Sequence, residues 1–146
     1  MKKIIIFSNT SWSLYNFRRN LLIELIKKKF KVIVLSSKDK TTKKLRDIGC
    51  SFHEIQMKRR GDKIFSEILT LFKIYKIIRK IKPDIIFNFT IKPIIYGSLI
   101  SRFLNIKTIN TLDGLGASFE INYFKKLILR LLIRLSQKRA DNFFFN

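Results

Sequence analysis

The chain has 146 residues, of which 47% are hydrophobic, and Lys and Arg outnumber Asp and Glu by 31 to 10, a formal net charge of +21. This apolar content excludes a disordered basic tail, because such tails lack the side chains whose burial offsets the entropy lost on folding. One cysteine and one histidine, Cys50 and His53, exclude a disulfide framework and a multi-cysteine zinc site, and they favour a reducing compartment such as the cytoplasm.

Neither a secretion signal nor a membrane span is predicted. The apolar run behind the basic start extends only from Ile4 to Phe7, whereas a signal peptide needs about 7–15 apolar residues. The longest uncharged stretch, Ile4 to Phe17, holds six Ser, Thr or Asn residues, and a span needs about 20 mostly apolar ones. We therefore expect a protein that does not cross a membrane but can lie against one.

Short β-branched runs alternate with longer helical patterns along the whole chain. The predicted strands are Lys3–Ser8, Phe30–Ser36, Ser51–Gln56, Asp84–Phe89, Ile106–Leu112 and Asn142–Phe145. The helices between them are one with its apolar face from Leu14 to Ile26, then Asp39–Ile48, Ile64–Ile81, Pro93–Leu104 and Tyr123–Arg139. Ser13 is the predicted N-cap of the first helix, Gly49 ends the second and Pro83 stops the third.

This alternation predicts an α/β fold, a Rossmann-like parallel sheet of about six strands with helices on both faces. No repeat or linker interrupts the pattern, so residues 1–146 are expected to form one domain. The chain ends in an apolar strand without a closing helix. We interpret it as a piece of a longer polypeptide whose second domain is absent.

Ligands bind beyond the carboxyl ends of the strands in open α/β sheets, so four loops there are candidate sites. The first, Asn9-Thr10-Ser11-Trp12-Ser13, contains no glycine and therefore excludes the dinucleotide fingerprint and the P-loop. No nicotinamide or flavin cofactor is expected. The hydroxyl and amide groups of Asn9, Thr10 and Ser11 suit sugar hydroxyls or a phosphate, and the alternative is an ordinary capped loop.

Two further loops carry cations at these positions. Arg59 and Arg60, in Lys58-Arg59-Arg60-Gly61-Asp62, can bind a phosphate or diphosphate. The alternative is that this run of charges is an ordinary solvated turn. Thr90 and Lys92 follow the fourth strand near a helix N-terminus, which favours anions.

The fourth loop follows the fifth strand. Gly114 and Gly116 permit close approach of a ligand, and Asp113 is the carboxylate at the strand end. Asp113 is therefore the candidate catalytic base or hydroxyl acceptor, with a glycine turn flanked by a polar residue as the alternative. His53 is the single histidine and Cys50 the single cysteine, which are too few ligands for a metal ion, and no metal site is predicted.

Many cations fall on helix faces beside apolar residues, a pattern that suits an anionic membrane surface, where each contributes about 1 kcal/mol. The residues predicted to face the membrane are Lys73, Lys76, Lys126, Arg130, Arg134 and Lys138. Nucleic acid is the weaker choice of anionic partner, because no helix-turn-helix, RNP, KH or zinc pattern is present. Solubility and a compositional bias toward Lys, Ile and Asn explain part of the charge.

Three segments resemble the amino-terminal domain of bacterial family-4 glycosyltransferases of the GT-B fold. They are SNTSWSLYNFR at 8–18, FNFTIKPIIYGS at 87–98 and DGLG at 113–116, and the resemblance extends over the whole chain. It is greatest to the enzymes that extend lipid-diphosphate-linked oligosaccharides for capsules, O-antigens or glycoproteins.

The resemblance implies an acceptor-binding domain that docks on the inner face of the cytoplasmic membrane and takes a lipid-linked glycan. A nucleotide-sugar donor would be held by a separate carboxyl-terminal domain with a Glu-x7-Glu motif, and transfer would retain anomeric configuration without metal or cofactor. In this hypothesis the sugar hydroxyls meet Asn9, Thr10, Ser11, Thr90 and Asp113, the phosphates meet Arg59, Arg60 and Lys92, and the ligand also approaches Gly114 and Gly116.

Two departures from the family pattern matter. Many members carry His-Gly where this chain has Asp113-Gly114, and the Gly-Gly of their first loop is replaced by Asn9 to Ser13. Without the donor domain, the chain alone is expected not to catalyse transfer. The alternatives are a non-enzymatic basic module that binds an anionic membrane or nucleic acid, and a truncated product without function.

Overall fold

The structure, a computed structural model, describes residues 1–57, 64–112 and 142–145. Strands and helices alternate through these residues. In chain order the elements are β1 (Lys3–Thr10), α1 (Ser11–Lys27), β2 (Lys31–Ser37), α2 (Thr42–Asp47), β3 (Ser51–Glu54), α3 (Ile64–Ile81), β4 (Ile85–Phe89), α4 (Ile91–Leu104), β5 (Lys107–Leu112) and β6 (Asn142–Phe145).

The six strands form one sheet in the order β3-β2-β1-β4-β5-β6, and every neighbouring pair is parallel. This confirms the predicted α/β class and the Rossmann-like sheet. From β1 the chain moves outward to β2 and β3 and then crosses back to place β4 on the other side of β1. The strand order therefore reverses between β1 and β4, the position at which open α/β sheets form a ligand crevice.

The sheet is buried on both faces, as the continuous apolar strands require. On one face Ile5 and Phe7 of β1 pack with Ile74 and Ile78 of α3 and with residues of α4. On the other face the alternate residues of β1 pack with α1 and α2, in a cluster that contains Ile4, Ile6, Leu14, Leu22 and Leu45. Alternate side chains of β1 therefore face different helix layers, α3 and α4 on one side of the sheet and α1 and α2 on the other.

The start of α1 differs from the sequence prediction. β1 extends to Thr10 and α1 begins at Ser11, so no loop separates them. The prediction that Ser13 is the N-cap is wrong, because Thr10 takes that place and its Oγ1 accepts a hydrogen bond from the Ser13 amide at 3.2 Å. The polar residues that were expected to form a loop therefore lie at the end of β1 and in the first turn of α1.

Two other helices also start at different residues. α2 begins at Thr42 rather than at Asp39, because the Asp39 carboxylate binds backbone amides outside α2. α4 begins at Ile91, two residues before Pro93. Proline is compatible with that first turn, since its missing N–H would have no partner within the helix. The helix predicted at Tyr123–Arg139 lies outside the described residues.

Candidate functional site

The carboxyl ends of β1 and β4 lie side by side at the reversal of strand order. Phe7 pairs with Asn88 in the register of these strands. Asn9 lies two residues after Phe7, and Thr90 lies two residues after Asn88. The structure therefore brings the first and third predicted loops together. We call this edge of the sheet, with the first turns of α3 and α4 that border it, the switch-point rim.

At the carboxyl ends of β1 and β4, three side-chain oxygens of the described residues are buried without hydrogen-bond partners, Asn9 Oδ1, Asn88 Oδ1 and Thr90 Oγ1. Asn88 lies within the paired part of the strands, whereas Asn9 and Thr90 lie beyond it, at the switch-point rim. Buried polar atoms in native proteins are nearly always hydrogen-bonded, so each exception calls for an explanation. Thr90 also has φ 71° and ψ 161°, a conformation that a β-branched residue rarely adopts. Backbone strain of this kind concentrates at functional sites, and a bound ligand would account for the unpartnered oxygens.

Lys92 lies in the first turn of α4, and its ammonium donates to the Glu67 carboxylate of α3 at 2.8 Å. The other carboxylate oxygen of Glu67 accepts a hydrogen bond from the Tyr96 hydroxyl. The side chains of Lys92 and Glu67 are 23% and 29% exposed, so a ligand at the rim can reach both. We call these three residues the Glu67 cluster.

Sequence reasoning missed Glu67, which lies 25 residues from Lys92 and becomes its partner only because α3 packs on α4. One signal was present, since Glu67 is the single acidic residue between Ile64 and Ile81. Its i+4 and i+7 neighbours, Leu71 and Ile74, pack in the core. A lone carboxylate on an apolar helix face needs a polar partner when the helix packs.

A buried amide network fixes α4 against the sheet. Asn88 donates from Nδ2 to Asn110 Oδ1 at 2.8 Å, and Asn110 donates from Nδ2 to Ser98 Oγ at 3.0 Å. Gly97 is required at this contact, because a Cβ there would lie 1.9 Å from Asn88 Oδ1. The network sets the position of the first turn of α4, and with it the position of Lys92 at the rim.

The junction of β1 and α1 is held by α2 and the residues before it. Ser11 is fully buried, and its hydroxyl contacts Ser36 Oγ at 3.1 Å and Thr42 Oγ1 at 3.0 Å. The Trp12 amide donates to Asp39 Oδ2 at 2.8 Å. The Ser11 hydroxyl is therefore engaged within the fold, and Thr10 serves as a helix cap at this edge.

The Asp39 carboxylate accepts these hydrogen bonds in its ionised form. Partial burial by itself raises the pKa of Asp39, but hydrogen bonds from the Thr41 hydroxyl and from the amides of Thr41, Trp12 and Ser11 outweigh it, so the pKa lies below the ordinary value. A carboxylate at this position also complements the positive end of the α1 dipole. The shift is explained by capping, and it marks no catalytic group.

Arg18 of α1 reaches the same region of the sheet. Its guanidinium lies over the ring of Phe89, 5.0 Å from the centroid, and Phe89 immediately precedes Thr90. Arg18 belongs to the first segment of the family resemblance, but the sequence offered no reason to place it near β4. Stacking on an aromatic ring orients the guanidinium without removing its charge.

Several predicted site residues cannot be placed. The acceptor-binding candidates Arg59, Arg60, Gly114 and Gly116, the catalytic candidate Asp113, and the membrane-facing candidates Lys126, Arg130, Arg134 and Lys138 lie outside the described residues. Lys73 and Lys76 are exposed on α3, where a membrane could reach them.

Metal-ligating and nucleophilic side chains were compared within the part of the chain that the structure describes. Within the described ranges, no three His, Cys, Asp or Glu side chains are grouped to hold a metal ion. Burial raises the pKa of the Cys50 thiol to about 11, so the unreactive protonated form predominates at neutral pH. A cavity of about 380 Å³ lies at the amino edge of the sheet, away from the rim, between Ile78, Pro83 and Leu104.

The family model of glycosyl transferase 4-like proteins matches residues 3–146. This chain belongs to that family. It is 27% identical over 148 residues to the N,N'-diacetylbacillosaminyl-diphospho-undecaprenol alpha-1,3-N-acetylgalactosaminyltransferase of Campylobacter jejuni, which covers 98% of this chain and 39% of that enzyme. The domain thus spans about two fifths of the length of its curated relative.

Solved structures share the fold. MurG of Acinetobacter baumannii superposes on 99% of this chain with a TM-score of 0.65 at 15% identity, over 41% of its own length. A UDP-N-acetylglucosamine 2-epimerase superposes on 99% of the chain and 41% of its own with a TM-score of 0.67 at 20% identity. A glycosyltransferase of Rickettsia africae gives 0.65 at 19% identity over 91% of this chain and 35% of its own.

These likenesses show that the domain is one half of a GT-B fold. The fold alone does not separate transferases from epimerases, because both are among the similar structures. The family match makes that distinction, since it assigns the domain to the glycosyltransferases.

Proposed function

We propose that this domain is the acceptor-binding half of a retaining glycosyltransferase that moves a sugar from a nucleotide-sugar donor to a polyprenyl-diphosphate-linked glycan. The observation that carries the proposal is the pair of unpartnered oxygens, Asn9 Oδ1 and Thr90 Oγ1, at the switch-point rim. Family membership supports the reaction class, and the name of the Campylobacter relative supports a lipid-diphosphate acceptor.

In this proposal the acceptor lies along the switch-point rim. Asn9 and Thr90 are proposed to bind it through their buried, unpartnered oxygens once it is seated, and Lys92, paired with Glu67, to contact it from the first turn of α4. Asp113, Gly114 and Gly116, which follow β5, are proposed to border the same crevice, and Arg59 and Arg60 to bind phosphates. The nucleotide sugar is proposed to be held by a second domain, so the chain alone is expected to bind acceptor without transferring sugar.

The proposal includes peripheral contact with the cytoplasmic membrane, on the evidence of α3. Phe65, Ile68, Leu69 and Phe72 are all exposed and project from one side of the helix, and Lys73 and Lys76 continue that side toward its end. Exposed apolar residues beside cations suit an interface between acyl chains and anionic headgroups. Among the residues that the structure describes, no helix has the length and apolar character needed to cross a bilayer.

The acceptor-binding proposal is tested with the chain itself and vesicles that carry a polyprenyl-diphosphate-linked N-acetylated sugar. We expect the chain to bind these vesicles more tightly than vesicles of the same lipid without the glycan. Lys92→Ala should weaken this glycan-dependent part about tenfold, as expected for loss of a charge-assisted hydrogen bond.

Lys107→Ala is the matched control, because Lys107 is an exposed cation at the opposite end of the strands, where β5 begins. It removes the same charge and should leave the glycan-dependent binding unchanged. Equal binding with and without the glycan, or equal loss in the two variants, would refute the acceptor role.

A further inference from the structure

The amino edge of the sheet holds a pocket that the proposed function does not use. It lies where α3 and α4 end and where β4 and β5 begin, and its volume is about 380 Å³, which is within the range of natural ligand sites. Its walls are mainly apolar, formed by Ile78, Pro83, Leu104 and Ile106. We call it the amino-edge pocket. The switch-point rim lies at the opposite ends of the strands, so a ligand in this pocket would not compete with one at the rim.

Two cations, Arg79 and Lys82, also line the amino-edge pocket, and both are exposed. Among the residues that the structure describes, neither side chain forms an ion pair or a hydrogen bond. The acidic residue nearest to them along the chain is Asp84, and its carboxylate accepts a hydrogen bond from the Lys3 amide at 2.7 Å. The pocket therefore places apolar walls beside positive charge that no described carboxylate neutralises.

The end of α3 by itself does not account for these cations. A cation in the last turn of a helix complements the negative end of the helix dipole, which amounts to about half an elementary charge. In α3 that end is already opposed by Lys3 of β1, whose ammonium donates to the Ile81 carbonyl at 3.0 Å. Arg79 and Lys82 therefore bring more positive charge than the helix end requires, and the excess attracts an anion.

We propose that the amino-edge pocket binds a small ligand with an apolar body and one anionic group, a carboxylate or a phosphate monoester. The body fills the space between the apolar walls, and the anionic group pairs with Arg79 and Lys82. A simple anion would leave the walls in contact with water, and an uncharged apolar molecule would leave the cations without a partner. The site goes beyond the proposed sugar transfer and does not depend on it.

The test uses the ¹⁵N-labelled chain and four soluble probes. Octanoate and phenyl phosphate combine an apolar body with an anion, whereas octanol has only the body and inorganic phosphate only the anion. We expect at least one of the first two to shift the amide resonances of Ile78, Leu104 and Ile106 in a saturable way and to leave those of Asn9 and Thr90 in place. Octanol should bind about tenfold more weakly than octanoate, as expected for loss of two exposed ion pairs, and inorganic phosphate should cause no saturable shift.

The charges are tested with Arg79→Gln combined with Lys82→Gly. Lys82 has φ 51°, in the left-handed region that favours glycine after a helix, so this variant should keep the urea midpoint of the parent chain. Its affinity for the anionic probes should fall about tenfold. Lys28→Gln combined with Lys29→Gly is the matched control, because both lysines are exposed after α1, Lys29 has φ 64°, and neither lines the pocket. It removes the same charge and should leave probe binding unchanged.

The two anionic probes also distinguish the source of the ligand. Tighter binding of octanoate indicates a fatty acid, and tighter binding of phenyl phosphate indicates an aromatic phosphate ester; either result supports the proposal. Octanol binding as tight as that of octanoate, saturable shifts with inorganic phosphate, no shifts with either anionic probe, or equal losses in the two double variants would each overturn it. The vesicle experiment judges the proposed function separately, because it reports on the rim.

Discussion

At the scale of single residues, the site is marked by groups that the fold leaves incomplete. Thr90 combines a left-handed φ of 71° with a buried hydroxyl that has no hydrogen-bond partner among the described residues, although it occupies the N-cap position of α4. Neither property stabilises the domain. Residues that lower stability persist where they contribute to binding, so Thr90 is a sharper indicator of function than its exposed neighbours.

Thr90→Val tests this opposition of stability and binding. Valine has nearly the same shape and β-branching, so the variant removes the unpartnered hydroxyl with little change in packing. We expect the free energy of unfolding in urea to rise by about 1 kcal/mol, because a buried unsatisfied polar group disappears. Binding of the glycan-bearing vesicles should weaken at the same time.

Ser98→Ala provides the contrast, because the Ser98 hydroxyl accepts from Asn110 Nδ2 at 3.0 Å and is satisfied. Its removal should lower the free energy of unfolding. A Thr90→Val chain that is less stable than the parent would show that the hydroxyl has a partner within the fold.

At the scale of elements, Asp39 joins α1 to the segment that leads into α2. Its carboxylate accepts from the Trp12 amide of α1 and from the Thr41 amide, both at 2.8 Å. Because the folded state depresses the pKa of Asp39, the carboxylate stabilises the fold fully above its ordinary pKa of 3.8. That contribution is lost as the pH falls from this value through the lower folded-state pKa.

Asp39→Asn should therefore cost about 1 kcal/mol in the free energy of unfolding at neutral pH, the usual effect of weakening a helix cap. The difference between parent and variant should stay constant from neutral pH down to about pH 5 and shrink at more acidic pH. Urea titrations at several pH values measure both quantities. Asp47→Asn, at the last residue of α2, is the control, and a difference independent of pH would contradict the capping role.

The proposed contact with the membrane depends on the exposed side of α3. Its apolar residues occupy the first half of the helix, beside the rim, and its cations occupy the second half. A lipid-linked acceptor would then meet the rim close to the bilayer surface. This arrangement predicts that apolar contact, and not charge alone, holds the domain on vesicles.

Phe65→Ser combined with Phe72→Ser should weaken binding to vesicles with anionic lipid by at least about tenfold, since each phenylalanine contributes on the order of 1 kcal/mol or more when buried. Flotation measures the bound fraction. Phe103→Ser is the control, because Phe103 is 83% exposed near the end of α4, away from the rim. Equal losses in the two variants would show that the side of α3 has no special role.

At the scale of the whole molecule, the net charge of +21 predicts attraction to any polyanion, so binding alone does not identify the partner. The dependence of binding on salt concentration distinguishes the possible partners. Binding to DNA by phosphate contacts should fall steeply as salt rises, whereas vesicle binding through α3 should persist in part because apolar contact is not screened. Tight DNA binding without retention on vesicles in salt titrations would favour the nucleic-acid alternative over the membrane.

Much of the architecture followed from local pattern. The strands were predicted within about two residues because buried parallel strands are short apolar runs, and hydrophobic period tells strand from helix. Helix starts were less predictable, as Ser13 shows, since several hydroxyl residues in a row can each act as the cap. Only the backbone geometry of Thr10 selects one of them.

For the candidate site, the residue types that follow each strand can be read from local sequence: amide and hydroxyl groups after β1, and threonine and lysine after β4. Which of these groups are already engaged by distant residues is visible only in the folded chain. Ser11 is engaged by Ser36 and Thr42, and Lys92 is neutralised by Glu67. Such partners lie tens of residues apart, and the packing of helices on a sheet, which no local pattern encodes, is what brings their charges and hydrogen bonds together.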